Sequence, residues 1–487
     1  MREGRRGKRW LWFVVAGVAL CGVVACVWVM RRMQSDQAKF PRLVEDARVG
    51  ERILFQGVDV YPGWGKVLWK GRDILVERGK IAKIGANGTI KAEYAHLVKG
   101  VGQTLMPGLV DAHVHLSGSG SAPGHFVFWN EEHNLHAHLR AGVTTVFDLG
   151  GQAAASKAMR DKVRSGQWLG PRIFFTDGPI SSPGSHPEPA SSKLFPWPLN
   201  WMAPWLLTAI KTPEDAPKIV AALQRKGVDY VKMVVDQLPP GSPEMGETLV
   251  RALAAAAKAK GMRVFIHIGS AQNALVAARA GADVLAHGVY RDALTEAQAR
   301  EIAKTGVRMI PTLAAFERSA LMAEGKMQPS SLERMMHPPV LWEPLVGEKG
   351  RSFVDLPVLG EFAKGLLRAK KHWHENIRLL HRAGVVIWVG TDSALPGIYP
   401  GSAYHRELRA LSKAGIPNDV LLEAAVTGPS RLIEKNPPYG KIEVGKVADL
   451  ILVEGDPLQD IRAVERLKMV MRGGKKLRFL QGVKATQ

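Results

Sequence analysis

Apolar and polar positions along this chain fall into three patterns. From Trp10 to Met30, "WLWFVVAGVALCGVVACVWVM", 21 residues pass without a charge, the length a helix needs to cross a bilayer. After a polar linker over 35–52, short alternating runs bounded by turn residues predict strands. "ILFQGVDVY" and the hairpin "DILVERGKIAKIG" lie near the start, and "ADLILVEGD" and "LKMVMRGGKKL" near the end. Between them an apolar strand followed by a helix recurs eight times, on "GLVDAHVHL", "TTVFDLG", "RIFFTDG", "VDYVKMVVD", "MRVFIHI", "ADVLAHG", "VRMIPTL" and "GVVIWVGTD". Eight such units predict an α/β fold, a (β/α)8 TIM barrel over 107–437. The strand-rich pieces 53–106 and 438–487 are expected to pair into one small β-sandwich domain built from both ends of the chain. One crossover helix is punctuated by Ser242 as N-cap, Pro243 at its first position and Gly261 after Lys260.

The first 34 residues read as a cytoplasmic tail and transmembrane anchor. Arg2, Arg5, Arg6, Lys8 and Arg9 precede the apolar run, so the positive-inside rule places the amino terminus in the cytoplasm. The expectation is a single-pass protein of the cell inner membrane with its catalytic domain on the extracytoplasmic, periplasmic side. Arg31 and Arg32 beyond the run oppose that orientation, and two other readings stay open: a cleaved signal peptide, and a lipoprotein whose box would be Val23-Val24-Ala25-Cys26. At 487 residues and 46% hydrophobic content the chain can bury a large core, which excludes a disordered or fibrous protein. Cys21 and Cys26 both lie in the apolar run, so the remainder can form neither a disulfide nor a zinc-thiolate site. Of the formal charge of +21, the first 36 residues carry +5 and the rest +16. That suits an anionic membrane surface or a generally basic solvated face, and no nucleic-acid motif accompanies it. Nothing in the sequence bears on oligomeric state.

Candidate chemistry begins with the histidines. Three His-x-His pairs occur, but His136/His138 and His372/His374 lie in helical patterns, where residues i and i+2 diverge by about 200°. His113 and His115 lie in "LVDAHVHL", a strand, where i and i+2 share a face. Since barrel chemistry sits at the carboxyl ends of the strands, the other residues there matter: Lys232, His267, His287 and Asp392. Lys232 stands in an otherwise apolar parallel strand, where a bare ammonium is costly. It either reaches the mouth or pairs with an acid. In company with four histidines and an aspartate, a deprotonated lysine can instead take up carbon dioxide as a carbamate, an anionic bridge between two metals.

With these residues in view the chain resembles the amidohydrolase superfamily, in the imidazolonepropionase-related branch that includes metal-dependent prolidases and dipeptidases. The resemblance rests on "MPGLVDAHVHL", "AGVTTVFDLGG", "VDYVKMVVD", "VFIHIGSAQNALVAARAGADVLAHG", "VGTDS", "HRELRALSKAGI" and "GKIEVGKVADLILVEGDPLQDI". It implies that His113, His115 and Asp392 hold a buried metal, His267 and His287 an outer one, and that Lys232, as N6-carboxylysine, bridges two divalent ions, zinc first. It further implies a metal-bridging hydroxide as nucleophile, with Asp392 as catalytic acid–base group passing a proton to the leaving nitrogen.

The expected function is a membrane-anchored binuclear amidohydrolase cleaving the C–N bond of a small substrate, a dipeptide or N-acyl amino acid first. The alternative is a cyclic amide, lactone or phosphoester hydrolase on the same metals. Deaminase relatives usually carry a glutamate three residues after the strand 5 histidine, where this chain has Ser270. A silent envelope scaffold is the reading from another class, and the presence of all six ligand types argues against it. The sequence departs from prolidase-like relatives in "MVVDQLPPGSPEMG" after Lys232 and in Pro183-Gly184-Ser185-His186. His186 is a candidate substrate contact or a solvated loop residue. Arg291 is a candidate for a substrate carboxylate or a surface arginine. Trp197, Trp201 and Trp205 mark a lid, a second membrane contact or ordinary packing.

Overall fold

The computed structural model describes residues 42–46, 50–122, 130–189, 208–354 and 357–480. Eight parallel strands form a TIM-barrel-like domain: β1 (Leu109–Val114), β2 (Val143–Asp148), β3 (Arg172–Phe175), β4 (Tyr230–Val235), β5 (Arg263–Ile268), β6 (Val284–Ala286), β7 (Arg308–Ile310) and β8 (Val386–Ile387). Each coincides with one of the eight apolar runs. β1, β2 and β4 are buried at every position, as strands covered on both faces must be. β1 to β3 pair in sequence order, with shifts of register between β1 and β2 at Leu109/Val110 and Asp111/Val114, and β4 to β8 also pair in sequence order. Asp229 N–H donates to Phe175 at 2.9 Å, and Tyr230 Oη donates to Asp148 O at 2.8 Å across that seam. The other seam closes where Ala112 N–H donates to Val389 O at 2.9 Å and Asp392 N–H to His113 O at 2.8 Å.

Strands from the two ends of the chain pair as expected, yet hydrogen bonding runs unbroken through nine of them. The two layers of the expected sandwich are therefore parts of one curled mixed sheet. Gln103–Pro107 is the joint, pairing antiparallel with Leu450–Glu454 and parallel with Arg52–Val60. The far edge bends back until Ile81 N–H reaches Lys446 O at 2.9 Å, enclosing Ile53, Phe55, Ile74, Leu450, Leu452 and Met471. Strand alternation sends Ile451 and Val453 the other way, into the barrel's core. One strand thus serves two cores, which fixes the small sheet to the barrel.

The expectation of a single-pass inner-membrane protein is corrected. Among the described residues no helix is long and apolar enough to cross a membrane. The run from Trp10 to Met30 on which that localisation rested lies outside the described residues, as do Trp197, Trp201 and Trp205. The crossover helix expected from Ser242 begins at Glu247, with Gly246 as N-cap. Met245 is buried in the core and Glu244 accepts from Asn273 Nδ2 at 3.0 Å, so the preceding segment is held off the helix. Its expected end is observed, with Lys260 as C-cap and Gly261 at a φ of +70°.

One buried carboxylate ties two helices together near the mouth. Glu407, on helix Ser402–Lys413, accepts from the backbone N–H groups of Leu313 and Ala314, at 3.0 and 2.6 Å, which open helix Leu313–Ala323. Glu407→Ala leaves both buried donors unsatisfied and should lower unfolding stability by about 1–3 kcal/mol. Chemical denaturation reads this; an unchanged midpoint would mean that water replaces the carboxylate.

Candidate metal centre at the barrel mouth

The closing seam assembles the first half of the site. His113 sits inside β1 with 1% of its surface exposed, and His115 follows the strand on the same face, nearer the solvent. Opposite them Asp392 adopts a left-handed φ of +59°, which turns its carboxylate across the seam. Its Oδ1 lies 3.2 Å from His113 Nε2 and 2.9 Å from His115 Nε2. One ligand atom from each of these three residues lies within 4.8 Å of the others, so the trio could hold a metal ion. Close packing demands glycine beside it: a Cβ on Gly150 would come within 2.3 Å of His115 Cε1, and one on Gly390 within 2.8 Å of the His113 nitrogen.

The second half comes from β4 to β6. Lys232 on β4, His267 on β5 and His287 just after β6 line the same cavity as His113, His115 and Asp392. His287 also has a positive φ, +75°, and its Nδ1 lies 2.8 Å from Thr312 Oγ1. The imidazoles form a row across the mouth. Successive ring centroids from His115 through His113, His287 and His267 to His186 are 5.4, 4.8, 4.2 and 5.1 Å apart. His186, expected in a loop after β3, is half-buried against His267, with its Nδ1 atom buried and unpartnered among the described residues.

Arg291 turns to a different partner. Its Nη1 donates to Asp236 Oδ1 at 2.9 Å, and the same fully buried carboxylate accepts from Tyr290 Oη and from His267 Nε2, the latter at 3.2 Å. Sequence reasoning passed over Asp236, although it ends "VDYVKMVVD" and the strand-end rule that selected the others would have found it. Asp111 was also missed. Lying in an apolar strand two residues before His113, it accepts from Thr391 Oγ1 at 2.8 Å and pins the start of the β8 loop to β1. Ser270 caps helix Ala271–Arg279 by accepting from Asn273 N–H.

Burial sets the electrostatics. It pushes the Lys232 ammonium down to about 7, with the Asp392 carboxylate pulling the other way. It holds His113 and His287 well below the usual imidazole range, and neighbouring histidines and Lys232 lower them further. Burial raises Asp111 to about 7. Asp236 is pushed up by burial too, but its hydrogen bonds from His267 and Tyr290 and the nearby imidazoles outweigh this and keep it below the usual carboxylate range. Imidazoles, two of them held neutral at His113 and His287, an amine that is partly uncharged near neutrality and a carboxylate make a donor set suited to divalent cations. The buried Nδ1 of His113 has no hydrogen-bond partner among the described residues.

Comparison with known proteins agrees with this architecture. The sequence pattern of the Amidohydrolase family matches residues 104–477. Ochratoxinase of Aspergillus niger is 24% identical over 457 residues, spanning 87% of this chain and 86% of that one. Among solved structures, a Xaa-Pro dipeptidase with bound methionine superposes with a TM-score of 0.69 at 21% identity, over 87% of this chain and 99% of that one. A prolidase complexed with N-methylphosphonate-L-proline gives a TM-score of 0.69 at 22% identity, over 89% and 100%. With the matched region running through all eight barrel strands and the cavity residues, this chain belongs to the Amidohydrolase family.

Proposed function

We propose that this protein is a metal-dependent hydrolase that cleaves the amide C–N bond of a small substrate at the barrel mouth, using two divalent cations, zinc first. The observation that carries the reading is the meeting of His113, His115 and Asp392 at ligating distance in one cavity with Lys232, His267 and His287. Likeness to a Xaa-Pro dipeptidase and to ochratoxinase supports an amide as the bond broken. The first three residues would hold one cation, His267 and His287 the other, and Lys232 would bridge them. Bound there, such ions supply Lewis acidity and lower the pKa of a water.

The chain's own groups do the remainder. With its ammonium pushed down to about 7, Lys232 presents a lone pair near neutrality. The Nζ lone pair would add to carbon dioxide, an N–C bond forming as one C=O π bond opens and one proton leaves to solvent, and the resulting carbamate would offer two oxygens that share one negative charge. Asp392 accepts the proton released by the attacking water and returns it to the leaving nitrogen. Asp236 and Thr312 orient the imidazoles. A proton on His267 Nε2 directed at Asp236 leaves Nδ1 with the lone pair, and a proton on His287 Nδ1 donated to Thr312 Oγ1 would leave Nε2 with its lone pair in the same way.

Three outcomes test this reading. The full chain purified with zinc and bicarbonate should carry about two divalent ions, and Lys232→Ala should lose metal and turnover together, with partial rescue by short carboxylic acids. A fully active Lys232→Ala protein would remove the bridge. Asp392→Asn keeps one coordinating oxygen and loses the base, so metal should be retained while turnover falls by a factor on the order of 10² to 10⁴; turnover within about threefold of the parent would send the proton by another route. Asp236→Asn should weaken metal binding about 10- to 100-fold in chelator competition, and an unchanged affinity would mean that His267 is oriented by other contacts.

A further inference from the structure

The cavity has two unlike ends. Beyond the imidazole row its wall is apolar, formed chiefly by Leu238, Phe316, Met322, Phe362, Leu366 and Ile398, and the whole encloses about 370 Å³. That volume suits a small organic molecule. The aromatic part of the wall is locked in place. Tyr290 and Phe316 stack with centroids 4.3 Å apart, Tyr290 meets Phe362 edge-on at 6.1 Å, and Trp373 packs against Phe316 while its Nε1 donates to Tyr290 O at 2.9 Å. Among the described lining residues other than the five histidines, Lys232 and Asp392, the polar side chains are Ser319 and Tyr290, and the Tyr290 hydroxyl is donated to Asp236.

Among the described residues, the two arginines nearest the apolar end, Arg318 and Arg291, are committed to other partners. Arg318, on the same helix as Phe316 and Ser319, is buried and donates to Gly397 O at 3.0 Å, Gln328 O at 2.7 Å and Glu333 Oε2 at 3.3 Å. Arg291 is bound to Asp236. With Arg368 it borders a neighbouring cleft of about 180 Å³ that shares Leu238, Phe362 and Leu366 as a partition. A carboxylate placed at the apolar end would lose its hydration without gaining a partner, which costs several kcal/mol in general. A phenyl group placed there would bury its surface against rings already disposed for edge and face contact.

Resting on the proposed amide hydrolysis, we infer that the substrates are amides one arm of which is bulky, uncharged and apolar, aromatic first, and that this arm occupies the end of the cavity walled by Phe316, Phe362 and Leu366. The scissile amide then lies at the boundary between the two ends, its carbonyl toward the cluster. This narrows the dipeptide or N-acyl amino acid class: a free carboxylate belongs on the other arm, facing the mouth.

The test uses the zinc-loaded full chain. Binding of 3-phenylpropanamide, acetamide and succinamate is measured by calorimetry, and hydrolysis is followed for two series of amides. One varies the acyl arm with glycine held, the other the amine arm with acetyl held, each arm being phenylpropyl-like, methyl-like or carboxyethyl-like. Phenylpropanamide should bind about 10- to 100-fold tighter than either competitor, and in one series the aromatic arm should lead in kcat/KM by a similar factor. Equal or better binding of succinamate or acetamide overturns the inference, whatever the turnover. Binding in the expected order with no hydrolysis of any amide overturns the proposed activity and leaves the apolar subsite standing. Because Phe316→Ala opens a hole in a packed wall, two milder variants decide the placement. Phe316→Leu should reduce the aromatic preference, and Ser319→Lys, at a half-buried position, should shift preference toward succinamate. An unaltered order in both places the arm elsewhere.

Discussion

Where the last barrel strand returns to the first, the backbone N–H of Asp392 donates to the carbonyl of His113, while its side chain meets the imidazoles of His113 and His115. Barrel closure and site assembly are thus one contact. Asp111 reinforces it from below by accepting both the hydroxyl and the backbone N–H of Thr391. Nothing can widen that seam without separating the carboxylate from the histidines. The left-handed backbone at Asp392, a conformation costing about 1–3 kcal/mol for a non-glycine residue, persists because the surrounding hydrogen bonds leave it no alternative.

The same seam dictates the protonation of its neighbours. Buried imidazoles stacked in a row cannot all be charged, since each added proton would meet another a few ångströms away in a poorly hydrated space. Burial and the neighbouring charges hold His113 and His287 neutral, and burial pushes the Lys232 ammonium down to about 7. A site of this kind is a set of lone pairs awaiting positive charge. At its other end Asp236 keeps its negative charge, with Arg291, Tyr290 and His267 gathered around it. The row is therefore bracketed by two carboxylates, one at the seam and one at the end of β4.

Much of this was legible in the sequence because strands obey a period of two. That period separated His113 and His115 from the helical pairs. Among the described residues, His113, His115 and Asp392 are the group that meets at ligating distance, whereas His136 and His138 are buried along helix Glu131–Arg140. Lys232 was visible as a charge in an apolar run. What escaped were relationships fixed by tertiary neighbours. The pairing of Arg291 with Asp236 depends on the turn after β6 passing over the end of β4, and the role of Thr312 on the left-handed turn after β7. Local signals also yielded to packing: Ser242-Pro243 looked like a helix start, but the burial of Met245 moved it to Glu247. The curl of the small sheet was illegible because alternation shows which residues face a core, and not whether two cores share a strand.

Joining a polar row to an apolar wall has a consequence for any reaction at their boundary. An apolar wall keeps water from competing for the carbonyl and lowers the effective dielectric, so that fixed charges at the seam act more strongly on developing charge than they would in a wet cleft. Rigidity matters as much. Tyr290 is held by a hydrogen bond from each side, its hydroxyl on Asp236 and its carbonyl on Trp373, and it stacks on Phe316. Through Asp236 the wall is one hydrogen bond from His267, so a group settling against the rings presses on the network that aims the imidazole. Binding at the apolar end and orientation at the polar end are mechanically continuous, and selection of the substrate's inert arm can thereby influence the alignment of its reacting bond.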